Sequence, residues 1–193
     1  MKIFISGGCK NGKSYYAQHL AKGQQKVGPL YYIATMKAVD PEDDARIAKH
    51  REEREGWGFT TVEQGRDIEA VLDACDHDGS FLLDSLTALL ANEMFSPKEP
   101  MSPEETICAS AVQKVAEGLL AILNKVPNIV IVSDYIYSDA FAFDPFTEEY
   151  RKSLAALDCL AAKHCDVVLE VCHTQVILHK GRDVFYAALK ELS

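Results

Sequence analysis

The sequence predicts an α/β fold with a mostly parallel central sheet and helices on both faces. Three observations predict it. Short apolar runs alternate with segments of helical periodicity along the chain. Those runs are apolar on both faces, as in strands covered from both sides. The first run ends directly in a glycine-rich stretch that opens a helix.

Lys2 to Ser6 reads as the opening strand. The helix after the glycines puts Tyr16, Ala17, Leu20 and Ala21 on one face. Leu30 to Ala34 is a second strand. Asp40-Pro41-Glu42-Asp43-Asp44 is a helix start: Asp40 caps, Pro41 suits the first helical position, and the acids complement the positive helix end. That helix runs to about Arg54, and Gly56 stops it. Phe59 to Glu63 is a strand, Ile68 to Leu72 a short helix, and Phe81 to Asp84 a buried strand ending in a carboxylate. Residues 87–95 read as helix and Ser96 to Ser102, with two prolines, as loop. Helical periodicity returns from Pro103 to Val126 through Val112, Val115, Leu119 and Ile122. Asn128 to Ser133 is the clearest buried strand. A helix over Thr147 to His164, neighbouring strands at Val167–Val171 and Gln175–Leu178, and a small terminal helix complete the pattern. No repeat or linker interrupts it, so residues 1–193 are expected to form one domain.

The net charge of −9 argues against a general nucleic-acid binder. No apolar run approaches the roughly 18 residues of a membrane span. The N-terminus enters a strand with no signal-peptide pattern, and a cytoplasmic location is expected. Six cysteines at positions 9, 75, 108, 159, 165 and 172 show no CxxC spacing. They are expected to be free and mostly buried.

Gly7-Gly8-Cys9-Lys10-Asn11-Gly12-Lys13-Ser14 fits GxxxxGK[ST] between a strand and a helix, the context that gives the pattern meaning. Such a loop turns main-chain N–H groups toward phosphates, and the helix start adds a positive dipole end. Lys13 then reaches the β- and γ-phosphates, and the Ser14 hydroxyl suits Mg²⁺. The pattern implies a P-loop NTPase-like domain holding a purine nucleoside triphosphate. A carboxylate at a strand end is the metal's other partner. Asp84 is the preferred candidate; Asp134 qualifies by position but equally suits a cap or turn.

The helix after Asp40 carries Arg46, His50 and Arg54 at steps of four, with Arg51 beside His50. An exposed, salt-bridged helix explains that spacing. So does a nucleophile: nearby guanidinium groups keep the imidazole neutral, and His50 attacks an α-phosphorus to release pyrophosphate. The spacing leaves both open.

These segments resemble the bifunctional adenosylcobinamide kinase/adenosylcobinamide-phosphate guanylyltransferase family of cobalamin biosynthesis. The match is carried by the opening strand with the phosphate loop, by Tyr32-Ile33-Ala34-Thr35, and by Ala45 through Arg54 with Trp57, Thr61 and Glu63. Leu82-Leu83-Asp84 with Leu86-Thr87 and Asn92 completes it. The resemblance implies a homotrimer and two reactions. In one, ATP or GTP phosphorylates the aminopropanol hydroxyl of adenosylcobinamide. In the other, GTP guanylylates a histidine and the GMP passes to adenosylcobinamide phosphate. It implies that His50 is the guanylylated residue. It places nucleotide contacts on Gly7, Gly8, Cys9, Lys10, Asn11, Gly12, Lys13 and Ser14, on Ala34, Thr35 and Met36, on Arg51, Glu52, Glu53 and Arg54, and on Glu63 and Asp84. The second half departs from the family pattern: Asp134-Tyr135-Ile136-Tyr137-Ser138-Asp139 stands where Asn-Glu-Val-Gly is usual. A different small-molecule kinase and a nucleotide-binding regulator are the alternatives. Trp57 and Phe59 are candidates to pack near a purine, with core packing the commoner role.

Overall fold

The computed structural model describes residues 1–38, 45, 47–48, 51–52, 54–95, 104–137 and 141–192. Among the described residues, seven strands form one sheet: β1 (Lys2–Gly7), β2 (Leu30–Ala34), β3 (Phe59–Glu63), β4 (Ser80–Asp84), β5 (Asn128–Asp134), β6 (Val167–Cys172) and β7 (Gln175–Lys180). Their order is β3-β2-β4-β5-β1-β6-β7. All pairs are parallel except the β6–β7 hairpin. The helices whose whole extent lies in the described residues are α1 (Lys13–Gln24), α2 (Val71–Ala74), α3 (Leu86–Met94), α4 (Glu104–Lys125), α5 (Pro145–His164) and α6 (Arg182–Leu192); a 3₁₀ turn, Ile68–Ala70, leads into α2.

Alternation along the strands sorts the core into two layers. Phe4, Ile33, Leu83, Ile129 and Ile131 face α3, α4 and α5 on one side. Ile3, Ile5, Tyr32, Leu82, Val130 and Val132 face α1 on the other, with Phe185 of α6 packed beside them. Two caps set helix starts. Ser85 Oγ accepts from Ala88 N at 3.2 Å. Asp144 Oδ1 accepts from Phe146 N and Thr147 N, both at 3.1 Å, with Pro145 in the first turn. That cap starts α5 two residues before the expected Thr147.

The expected helix from Asp40 to Arg54 lies partly outside the described residues; Ala45, Ile47, Ala48, Arg51 and Glu52 are helical. Two expectations need correction. β3 and β7 are edge strands and are largely exposed rather than apolar on both faces. Of the described cysteines only Cys165 is buried; Cys9 and Cys159 are exposed, and Cys75 and Cys172 are intermediate. Cys9 belongs to an open loop, Cys75 and Cys172 stand at element ends, and Cys159 lies on the exposed side of α5, so the burial habit of the residue type does not apply to them.

One buried acid sets a pH dependence. Asp158 of α5 is 4% exposed, and Tyr137 donates its hydroxyl to Oδ2 at 2.9 Å. Burial pushes its carboxyl up to about 6, against the opposing pull of the Ser133 and Tyr137 hydroxyls. The folded pKa lies above the ordinary 3.8, so folding takes up a proton in between. This contribution to stability is complete below the unfolded value and is lost as the pH rises through the folded one. Between pH 4 and pH 8 it is worth on the order of 2 kcal/mol. Urea midpoints are expected to fall less steeply over that range in Asp158→Asn than in the parent chain.

Candidate functional site

The parallel strands β1, β2, β4 and β5 end on one sheet edge, the edge where α/β sheets present ligand sites. Gly7 pairs with Asp134, and Asp84 pairs with Ala34, which pairs with Glu63. The chain therefore brings the phosphate loop, the Ala34 strand end and both carboxylates to one rim.

The loop geometry explains two of its glycines. A Cβ on Gly7 would lie 2.4 Å from the Val171 carbonyl oxygen, so only glycine lets β1 leave the sheet so close to β6. Gly12 has φ +87°, the left-handed region, and it starts α1 with no side-chain cap and no acid in the first turn. No side-chain cap or first-turn carboxylate of α1 therefore takes up its first N–H groups. Asn11 Nδ2 donates to the Val171 carbonyl at 3.2 Å and anchors the loop to β6. Cys9 and Lys10 are exposed, and Ser14 is half-buried.

Lys13 is 5% exposed. Its Nζ donates to the Gly8 carbonyl and to Asp134 Oδ1, each at 2.6 Å. An ammonium group curled over its own loop in this way is held where phosphate oxygens would compete for it. Asp134 is thus neither a cap nor a simple turn residue. Its main-chain N–H donates to Thr87 Oγ1 at 2.8 Å, and Tyr150 donates to the Thr87 carbonyl at 3.0 Å. That link fixes the β5 end against α3.

Asp84 ends β4 half-buried, and Tyr32 donates to its Oδ2 at 2.7 Å. Thr35 is fully buried. Its hydroxyl donates to the Ser85 carbonyl at 2.8 Å and accepts from Ser85 N at 2.6 Å, so its side chain joins β2 to β4. Asn92 Nδ2 donates to the Thr35 and Gly65 carbonyls at 2.7 and 2.9 Å. Ala34 and Met36 are half-buried beside it. The Ser14 hydroxyl and the Asp84 carboxylate are both hard oxygen donors on this rim, which fits Mg²⁺.

The other predicted residues that are described lie next to this rim. Arg51 and Glu63 form an exposed ion pair. Arg54 is 8% exposed, with its guanidinium carbon 3.7 Å from the Tyr32 ring centroid. Arg51, Glu52, Arg54, Phe59 and Thr61 line an open cavity of about 730 Å³. Trp57 packs edge-on to His19, centroids 4.6 Å apart, and so ties this region to α1. His50 and Glu53 lie outside the described residues. Sequence reasoning missed the Tyr32 hydroxyl, Thr87 and the Tyr137–Asp158 pair. The first of these follows from β2 lying beside β4, which no local signal in the sequence marks.

Comparison with known proteins adds relatives over most of the chain. It is 29% identical over 142 residues to the bifunctional adenosylcobalamin biosynthesis protein CobU of Escherichia coli, covering 70% of this chain and 76% of that protein. It is 29% identical over 170 residues to the bifunctional adenosylcobalamin biosynthesis protein CobP of Pseudomonas aeruginosa, covering 87% and 91%. Among solved structures, a KaiC-like protein of Pyrococcus horikoshii overlaps at TM-score 0.46 with 14% identity, over 94% of this chain and 80% of that one. The flagellar accessory protein FlaH of Methanocaldococcus jannaschii overlaps at 0.45 with 13% identity, over 92% and 77%. The model of the cobinamide kinase/cobinamide phosphate guanyltransferase family matches residues 3–177, and the chain belongs to that family.

Proposed function

We propose that this chain phosphorylates the hydroxyl of adenosylcobinamide with ATP or GTP, and transfers GMP from GTP to adenosylcobinamide phosphate through a guanylyl-histidine at His50. The observation that carries the reading is Lys13, buried and paired with Asp134 at the mouth of a phosphate loop. In this reading it exchanges that carboxylate for the β- and γ-phosphates. The loop from Gly7 to Ser14 supplies main-chain N–H groups, and Ala34, Thr35, Met36, Arg51, Glu52, Glu53, Arg54 and Glu63 surround the nucleotide. Ser14 and Asp84 would hold Mg²⁺, which when bound neutralises phosphate charge and orients the transferred group.

In the first reaction the acceptor oxygen forms a bond to the γ-phosphorus as the bridging bond to the β-phosphate breaks. A rim carboxylate takes the hydroxyl proton and passes it to water. In the second, the neutral His50 nitrogen attacks the α-phosphorus and pyrophosphate leaves. A phosphate oxygen of the acceptor then displaces the imidazole, which regains its neutral form. This reading has the chain working in the cytoplasm as a homotrimer.

The test uses the full chain with Mg²⁺ and GTP labelled at the α-phosphate. After denaturation, label that is acid-labile and base-stable is expected, as for a phosphoramidate. With γ-labelled nucleotide, adenosylcobinamide is expected to become labelled. Absence of both, with nucleotide still bound at micromolar concentration, overturns the proposal in favour of a nucleotide-binding regulator. Acceptor labelling without covalent label overturns its guanylyl half.

A further inference from the structure

We propose that Tyr32 is a positioning residue, whose buried hydroxyl orients Asp84 for the metal–phosphate site while its ring carries the Arg54 guanidinium. The inference rests on the role proposed above for Asp84.

The geometry follows from strand register. Tyr32 pairs with Leu82, so Asp84 lies two residues further along the neighbouring strand and on the same sheet face. A side chain as long as tyrosine spans that diagonal. Tyr32 is 4% exposed, and its hydroxyl donates to Asp84 Oδ2 at 2.7 Å. The main chain of Asp84 is held separately, its carbonyl accepting from Thr35 N at 3.2 Å. Main chain and one carboxylate oxygen are therefore both fixed, and the other oxygen is left for a ligand.

The phenol is the donor of this pair, because an ionised carboxylate only accepts. Arg54 lies 3.7 Å over the ring face, where a cation draws electron density from the phenol and strengthens its hydrogen bond. Arg54 follows His50 by four residues in the sequence. The same tyrosine thus joins Arg54 to the carboxylate at the end of β4. A tyrosine that served only as core would need neither the buried donor nor the buried cation above it. A phenylalanine would fill the same place without an acid to satisfy.

The test compares Tyr32→Phe and Asp84→Asn with the parent chain. One readout is the Mg²⁺ concentration that half-saturates binding of a fluorescent GTP analogue, which needs no turnover. A second is kcat and KM for γ-phosphate transfer to adenosylcobinamide, and a third is the urea midpoint. Tyr32→Phe keeps the ring, so folding is expected to persist. It is expected to raise the half-saturating Mg²⁺ concentration roughly tenfold and to lower kcat by a similar factor, with the acceptor KM unchanged. If Asp84→Asn shifts the Mg²⁺ dependence and Tyr32→Phe does not, the positioning role is overturned. A change in the urea midpoint alone overturns it too, because it marks a purely structural hydroxyl. If neither variant moves the Mg²⁺ dependence, it is the role of Asp84 that fails, and Tyr32 has no metal carboxylate to position.

Discussion

Replacing His50 by alanine is expected to abolish covalent labelling by α-labelled GTP while leaving γ-phosphate transfer to adenosylcobinamide largely intact. A nucleophile that forms a bond in the first step has no substitute when its nitrogen is gone. Losses on removing such groups are large, and label is expected to fall at least on the order of 10³-fold. The kinase half uses the loop, Lys13 and the rim carboxylates, and none of these needs the imidazole. His77 supplies the control. It lies just before β4 begins, at the opposite sheet edge from the phosphate loop, and its Nε2 lies 2.7 Å from the Leu72 carbonyl oxygen. His77→Ala is therefore expected to label like the parent chain. Equal label in His50→Ala and the parent chain would remove the guanylyl-histidine from the mechanism.

The phosphate loop was legible in the sequence because its physics is local. Glycines, lysine and serine at fixed spacing need only a strand before and a helix after, and both are present. Alternating strands and helices likewise predicted a mostly parallel sheet. What stayed hidden depends on strand order. Asp134 reaches Lys13 because β5 lies beside β1, although 121 residues separate them in the chain. Tyr32 reaches Asp84 because β2 lies beside β4. In one dimension Tyr32 reads only as part of an apolar strand. The exposure of β3 and β7 has the same origin, because nothing local marks which strands will stand at the edges. Helix ends were missed where a cap outweighed periodicity, as at Asp144 and Pro145.

Lys13→Ala is expected to lower turnover of both reactions by about 10³-fold, by analogy with the loss of a preorganised charge from a phosphoryl-transfer site. The magnitude follows from where the ammonium sits. At 5% exposure it is shielded from water, so its interaction with phosphate is screened less than that of a surface lysine. Its present partners, the Gly8 carbonyl and Asp134, also keep it within the loop it serves, so little reordering is needed when a nucleotide arrives. The substitution leaves Asp134, which is about one-third exposed, without its cation. That carboxylate then faces incoming phosphate and repels it, so Lys13→Ala is expected to weaken GTP binding as well as catalysis. The double variant Lys13→Ala/Asp134→Asn separates the two effects. Removing the repelling charge is expected to recover much of the nucleotide affinity in a binding titration and almost none of kcat. If the double variant recovers turnover along with affinity, Lys13 acts only by cancelling its neighbour's charge and not on the transferred phosphate.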